Sequence, residues 1–194
     1  VDGIISLQKC LWDEPESYWP QEGMQNSLPE RNLSVHVGHM FLKNEWRVFA
    51  EASYPKRTDR RLDLLAFKKG VLVAGECKQL DMPDRAEDFS EDAQDLTDFR
   101  LTDSWNTDKY QAPRIDRRYG LLLAMTWSPE VRAWWKLKKR NGALPRSTTG
   151  DGWRSLGERL DEIAPLSGDQ WLNRNEKSDE PDFWALYAIF KLPD

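Results

Sequence analysis

The sequence predicts an α/β domain in which a central mixed β-sheet is flanked by helices. Three observations support this fold class. The 194 residues are enough for one domain with a sizeable core. Hydrophobic residues make up 39% and charged residues 31%, as in globular proteins. Helical and strand-like apolar patterns alternate in the order helix, three strands, helix, strand. We therefore expect one domain over residues 1–194, with a core at about 29–140 and additions at 1–28 and 141–194.

The first predicted elements are a helix and a strand. A helix is expected from about Pro29 to Asn44, because proline suits the first helical turn. Four apolar residues also recur there at helical spacing: Leu33, Val37, Met40 and Phe41. An aromatic and apolar stretch from Trp46 to Tyr54 predicts a strand. The stretch Pro55–Arg61 that follows is interpreted as a basic loop.

Two apolar runs, Leu62–Phe67 and Val71–Cys77, predict a β-hairpin around Lys68-Lys69-Gly70. A two-residue turn at Lys69 and Gly70 fixes the register of the two strands. It places three pairs of residues opposite each other: Phe67 and Leu72, Leu65 and Ala74, and Asp63 and Glu76. Since side chains alternate along a strand, Lys78 shares the face of Glu76, and Cys77 lies on the other face.

The second half of the chain predicts three helices and two strands. Residues 84–101 form an amphipathic helix, residues 119–126 a buried strand and residues 128–140 a basic helix. Residues 141–152 are interpreted as a loop and residues 153–163 as a short helix. We expect residues 165–182 to be irregular and residues 182–192 to form the last strand.

Several classes of protein are disfavoured by simple features of the sequence. The two cysteines, Cys10 and Cys77, are too few for a disulfide framework or a structural zinc site. The N-terminus does not resemble a signal peptide, and no apolar run reaches the roughly 18–20 residues of a membrane span. We therefore expect a cytoplasmic protein without a membrane partner. The chain begins with Val1, which leaves open that it is part of a larger protein.

The distribution of charge is more informative than its sum of −5. Residues 84–103 contain eight acidic and two basic residues, so the remainder of the chain is close to neutral. Clusters of basic residues elsewhere in the chain can bind phosphate groups. A negative net charge therefore does not exclude nucleic acid as a partner. Our candidates for binding it are Lys56, Arg57, Arg60, Arg61, Lys136 and Arg140. A mixed, solvated surface is the alternative. The acidic helix would repel a nucleic-acid backbone, so its polar side is expected to face away from substrate.

Asp63, Glu76 and Lys78 carry the chemistry in this interpretation. Two carboxylates opposite each other on a sheet repel, and burial strengthens the repulsion. Lys78 supplies one positive charge, and a divalent cation such as Mg²⁺ or Mn²⁺ would supply two more. Such a set can hydrolyse a phosphodiester, with Lys78 assisting the nucleophile. The alternative is a cross-strand ion-pair trio on a solvated face, although both faces of these strands are otherwise apolar.

The same residues resemble a known nuclease family. Arg61-Leu62-Asp63-Leu64-Leu65 and Val73-Ala74-Gly75-Glu76-Cys77-Lys78 are similar to the motif of the PD-(D/E)XK superfamily, although Leu62 stands where that motif has proline. The resemblance covers roughly residues 29–126 and implies a restriction-endonuclease-like fold. It also implies a metal-dependent nuclease, with DNA as the substrate, in which Asp63 and Glu76 bind Mg²⁺ and Lys78 is catalytic.

The resemblance also suggests supporting residues. Family members often add an acid from the first helix or the strand after it, and Glu51 and Glu30 are the candidates here. A surface or ion-pair role for Glu51, and a helix-dipole role for Glu30, stay open. Gln79 resembles a polar residue that sometimes extends the motif, although alternation directs it to the other face.

The alternative function is a nucleic-acid-binding or assembly module that retains the fold without turnover. A homodimer is compatible with cutting both strands of a duplex.

Overall fold

The computed structural model describes residues 30–54, 57–100, 115–140, 144–145, 150–163, 165–172 and 183–193. These residues form four helices and six strands. The helices are α1 (Glu30–Lys43), α2 (Pro83–Asp98), α3 (Pro129–Trp135) and α4 (Asp151–Ile163). The strands are β1 (Arg47–Tyr54), β2 (Arg57–Lys68), β3 (Val71–Gln79), β4 (Arg117–Thr126), β5 (Leu166–Leu172) and β6 (Phe183–Lys191). The predicted α/β class is confirmed.

The six strands form one mixed sheet in the order β1-β2-β3-β4-β6-β5. Only β3 and β4 run parallel, and α2 connects them in sequence, since a parallel pair needs a crossover. All other neighbouring strands pair antiparallel. The crossover brings α2 onto the sheet beside β3, which is the strand that carries Glu76 and Lys78.

Helices cover both faces of the sheet and define two apolar cores. One core lies under α1, where Leu33, Val37 and Met40 pack with side chains of β2, β3, β4 and β6. The other lies under α2, α3 and α4, and includes Phe89 and the tryptophans of α3 and α4. Cys77 is buried in the α1 core. It therefore faces away from the acidic side chains, as side-chain alternation predicts.

Local sequence explains how several elements begin. Pro83 occupies the first turn of α2, where a missing N–H costs nothing. The hydroxyl of Ser128 caps α3 by accepting from the Val131 N–H at 3.3 Å. Gly152 at the start of α4 is required by close packing, because a Cβ there would lie 2.1 Å from the carbonyl oxygen of Pro83. The missing side chain lets α4 pack tightly against the first turn of α2.

Three predicted segments differ from the structure. The basic loop is wrong from Arg57 onward, because β2 already begins there. The basic helix ends at Trp135 instead of Arg140, and the Trp135 carbonyl accepts from the Arg140 side chain in place of a further helical turn. The stretch predicted to be irregular contains β5, an edge strand formed by pairing with β6 despite its few apolar residues.

Among the described helices, none has both the length and the apolar character needed to cross a bilayer.

Candidate active site

The hairpin turn forms as the sequence predicts. Lys69 and Gly70 have φ angles of 47° and 77°, the left-handed pair of conformations that a tight two-residue hairpin turn needs. Near the turn the predicted register is confirmed, with Phe67 opposite Leu72 and Leu65 opposite Ala74. The turn therefore determines which side chains of β2 and β3 approach each other further along the hairpin.

Regular pairing between β2 and β3 ends one position before the expected acidic pair. The last paired residues are Leu64 and Gly75, so Asp63 and Glu76 are not a ladder pair. Their carboxylates instead bond the backbone of the opposite strand. The Cys77 N–H donates to Asp63 Oδ2 at 2.8 Å, and the Asp63 N–H donates to Glu76 Oε2 at 3.4 Å. The two residues remain neighbours, each oriented by a backbone donor.

Glu76 is a buried carboxyl group, only 5% exposed. Its Oε1 accepts a hydrogen bond of 2.7 Å from the Tyr54 hydroxyl at the end of β1. Burial is the largest cause that raises the pKa of Glu76, to about 9, and the negative charges of Asp92 and Asp63 add to it. The hydrogen bond from Tyr54 acts in the opposite direction. Glu76 therefore either carries a proton at neutral pH or requires a nearby positive charge.

Lys78 lies next to Glu76 on the α2 side of the sheet. Its Nζ is 3.1 Å from Asp92 Oδ2 of α2, and the two side chains are 13% and 21% exposed. Burial raises the pKa of Asp92 to about 6, although Lys78 lowers it. The prediction that the acidic helix turns its polar side away from the site is wrong for this part of α2. The chain crosses from β3 to β4 over the face that carries Lys78.

Arg60 of β2 joins the same helix through two further ion pairs. Its Nη1 is 2.7 Å from Asp95 Oδ2 and its Nη2 is 2.7 Å from Glu91 Oε2. The sequence predicts that Arg60 binds nucleic acid, whereas in the structure its guanidinium binds two carboxylates of α2. Three acidic residues of α2 therefore face the two cations of β2 and β3.

A cavity of about 280 Å³ lies between these groups. Five acidic and three basic side chains line it with Tyr54: Glu76, Asp88, Glu91, Asp92, Asp95, Arg60, Arg61 and Lys78. Acidic side chains are thus in excess around the cavity, even without Asp63, whose charge raises the pKa of Glu76 and Asp92. A surplus of carboxylates in partly buried surroundings favours the binding of a cation.

The three residues expected to support the site lie on three different elements: Glu51 on β1, Glu30 on α1 and Gln79 on β3. Glu51 has a φ of 53°, is exposed, and lies between the pairs Ala50–Leu64 and Ala52–Leu62, which puts it across from Asp63 on β1. Glu30 is the first residue of α1, and its side chain lies outside the described part of the structure. The amide of Gln79 donates to Asp81 at 2.6 Å.

The predicted nucleic-acid contacts are dispersed. Arg61 is exposed and lines the cavity. Lys136 is 3.4 Å from Asp169 of β5 and 45% exposed. Arg140 is 3% exposed and bonded internally, so it offers no surface to a phosphate. Lys56 and the side chain of Arg57 lie outside the described residues.

The donor set of Asp63 and Glu76 fits a hard divalent cation. Carboxylate oxygens are the preferred protein ligands of Mg²⁺ and Mn²⁺, which usually retain several waters and need few protein groups. The backbone N–H of Cys77 and the hydroxyl of Tyr54 orient these carboxylates, as outer-shell donors do in metal sites. Within the described residues, no set of three or more acidic, histidine or cysteine side chains is arranged as a metal site.

Sequence reasoning missed Tyr54 and Asp92 as parts of this cluster. Both contacts span a long stretch of chain, and neither follows from strand alternation. One signal for Asp92 was present, because it adjoins the apolar stripe of α2 formed by Phe89, Ala93 and Leu96. A residue at the border of a buried stripe lies close to the sheet once the helix packs.

Comparisons of the chain with protein-family models, with curated proteins and with solved structures find no match.

Proposed function

We propose that this chain is a metal-dependent nuclease of the PD-(D/E)XK type, with a restriction-endonuclease-like fold. One observation carries the proposal. Two carboxylates, Asp63 and Glu76, lie where the pairing of β2 and β3 ends, and Lys78 follows on the same face. The order of elements from α1 to β4 agrees with the order that the resemblance implies.

Asp63 and Glu76 would hold the cation, and Mg²⁺ or Mn²⁺ suits their oxygen ligands. Such a cation would stabilise negative charge on the scissile phosphate as a Lewis acid. Lys78 would donate hydrogen bonds to the attacking nucleophile or to the phosphate, because an ammonium group has three donors and no acceptor. Tyr54 and the Cys77 N–H hold the two carboxylates in fixed orientations. Glu51 remains a candidate for an additional ligand from β1.

DNA is the proposed substrate, on the strength of the resemblance. Arg61, exposed at the cavity, is the basic residue best placed to contact a phosphate near the site. Arg60 would contribute only if it released the carboxylates of α2.

Cleavage assays test the proposal directly. Supercoiled plasmid and linear DNA are incubated with Mg²⁺, Mn²⁺ or EDTA, and the two forms separate internal cutting from digestion at ends. We expect metal-dependent products, and a loss of about 1000-fold in rate for Asp63→Asn and Lys78→Met. Lys68→Met is the matched control, since Lys68 lies at the other end of the same hairpin and pairs with Glu45. Cleavage that persists in the two site variants would eliminate the assigned site.

A nucleic-acid-binding module without turnover is the second candidate. The engagement of Arg60 by Glu91 and Asp95 favours a chain without turnover, because this cation is then less available to a reacting phosphate. This candidate predicts salt-dependent binding of DNA and no product with any metal. Anisotropy measurements with labelled DNA, run beside the cleavage assays, separate the two.

A further inference from the structure

We propose that Asp92 of α2 is a positioning residue of this site, whose carboxylate fixes the Lys78 ammonium at the cavity. The catalytic part of this inference rests on the proposed nuclease function, while the contact itself can be tested without it. Asp92 Oδ2 lies 3.1 Å from Lys78 Nζ, and both groups line the cavity together with Glu76.

The surroundings of the pair make it effective in holding Lys78. A lysine side chain is a flexible four-carbon stem. Its ammonium group therefore adopts many positions when it is surrounded by water. Here the two side chains are 13% and 21% exposed, so solvent screens their attraction less than on the surface. An ammonium held in one place can present its remaining N–H groups to a reacting group without reorganisation.

Asp92 is itself held in position by its helix. Arg60 binds Glu91 and Asp95, which lie on either side of Asp92 along α2. On the inner side of the helix, Phe89 and Ala93 are fully buried in the core. These contacts join α2 to the sheet on two sides, and the carboxylate of Asp92 approaches Lys78 from between them.

The Asp92–Lys78 pair is not isolated, because other carboxylates lie around the same cavity. Asp92 lines the cavity together with Glu76. Burial and the negative charge of Asp63 raise the pKa of Asp92. The cations Lys78 and Arg60 oppose this shift, and Lys78 has the larger effect of the two. The opposite interpretation is that Asp92 competes with substrate phosphate for Lys78, and this predicts that its removal increases activity.

Kinetic variants distinguish these interpretations. Asp92→Asn removes the charge, Asp92→Glu retains it on a longer side chain, and Glu87→Gln removes one charge from an exposed position of the same helix. With DNA and Mg²⁺, we expect Asp92→Asn to lower kcat 10- to 100-fold while KM changes less than about twofold. Asp92→Glu should recover part of kcat, and Glu87→Gln should match the unmodified chain. An unchanged or increased kcat in Asp92→Asn overturns the proposal.

Chemical labelling of Lys78 gives a readout that is independent of cleavage. The folded chain is treated briefly with an amine-acylating reagent, and modification of Lys78 is followed by mass spectrometry. We expect several-fold faster labelling in Asp92→Asn, and slow labelling in Asp92→Glu and Glu87→Gln. Equal labelling in all variants overturns the proposal. Absence of cleavage by the unmodified chain would refute the nuclease function, and the labelling result would still decide whether Asp92 holds Lys78.

Discussion

Arg140 and Glu76 are both almost completely buried, at 3% and 5% exposed, yet their surroundings differ in kind. Arg140 donates to the Trp135 carbonyl at 3.0 Å, to the Ser167 hydroxyl at 2.9 Å and to Asp161 at 3.4 Å. Burial lowers the pKa of Arg140, and the carboxylate of Asp161 opposes that shift. The charge is matched by one partner and each of the three side-chain nitrogens donates a hydrogen bond, which describes a structural cluster joining α3, α4 and β5.

The charges around Glu76, in contrast, are not balanced, because carboxylates are in excess. Burial raises the pKa of Glu76 most, and the negative charges of Asp92 and Asp63 raise it further. Lys78 pairs with Asp92, and the three basic side chains around the cavity do not balance its five acidic ones. The comparison teaches that burial of charge alone does not identify a functional site. An excess of one sign creates a requirement for a proton or a cation, and our proposal for the site rests on that requirement.

The largest expected effect on stability concerns the balanced cluster. Arg140→Met should lower the free energy of unfolding by about 3–5 kcal/mol, because Asp161 loses its buried partner. Arg154→Met is the control, since its ion pair with Asp151 joins side chains that are 58% and 95% exposed and should matter by less than about 1 kcal/mol. Urea unfolding measures both. Similar losses in the two variants would contradict the structural role of Arg140.

Glu76→Gln should have the opposite effect on the metal-free protein. The pKa of Glu76 is about 9 in the fold against an ordinary 4.5, so the folded state binds an extra proton between these values. Stability of the unmodified chain therefore falls as pH rises through that window. Glutamine removes this dependence and can still accept from Tyr54, so we expect a gain of about 1–3 kcal/mol at pH 8.

Urea unfolding in EDTA at pH 6 and pH 8 checks the Glu76→Gln prediction. Glu87→Gln serves as its control, because that residue is exposed. A loss of stability in Glu76→Gln at pH 8 would contradict the prediction. It would show that the negative charge of Glu76 is compensated by its surroundings, as the charge of Arg140 is by Asp161.

The smallest effect is expected at the rim of the cavity. Arg61→Ala should weaken DNA binding about 3- to 10-fold and reduce the slope of log affinity against log salt by roughly 0.9, as for the loss of one phosphate contact. Arg117→Ala is the control, because Arg117 is exposed beside the hairpin turn, in register with Val71. Anisotropy titrations at several salt concentrations measure both. Equal effects would mean that DNA does not approach the cavity.

The sequence was sufficient for features determined by neighbours along the chain. The hairpin register near Phe67 and Leu72 follows from the Lys69-Gly70 turn, and the shared face of Glu76 and Lys78 follows from strand alternation. The predicted direct pairing of Asp63 with Glu76 was wrong in detail, because their side chains took the backbone donors of the opposite strands. Asp63 and Glu76 nevertheless remain adjacent, as the predicted site requires.

Features set by packing could not be predicted in this way. The contact of Asp92 with Lys78 depends on where α2 crosses the sheet, and the contact of Tyr54 with Glu76 spans 22 residues. The strand β5 has weak apolar alternation and forms by pairing with β6. An ion pair between Arg132 of α3 and Asp169 of β5 also depends on this packing. Arg140 belonged by sequence to a basic cluster, and only the fold of α3 against α4 shows that it is buried.

Calorimetric titration of Mn²⁺ into the EDTA-treated chain tests the central claim, that Asp63 and Glu76 bind a divalent cation. We expect saturable binding at pH 8 that weakens at least tenfold in Asp63→Asn and in Glu76→Gln. Binding should also weaken about tenfold for each pH unit below 8, because Glu76 must lose its proton first. Equal Mn²⁺ affinity in the unmodified chain and both variants, or an affinity independent of pH, would contradict the assignment.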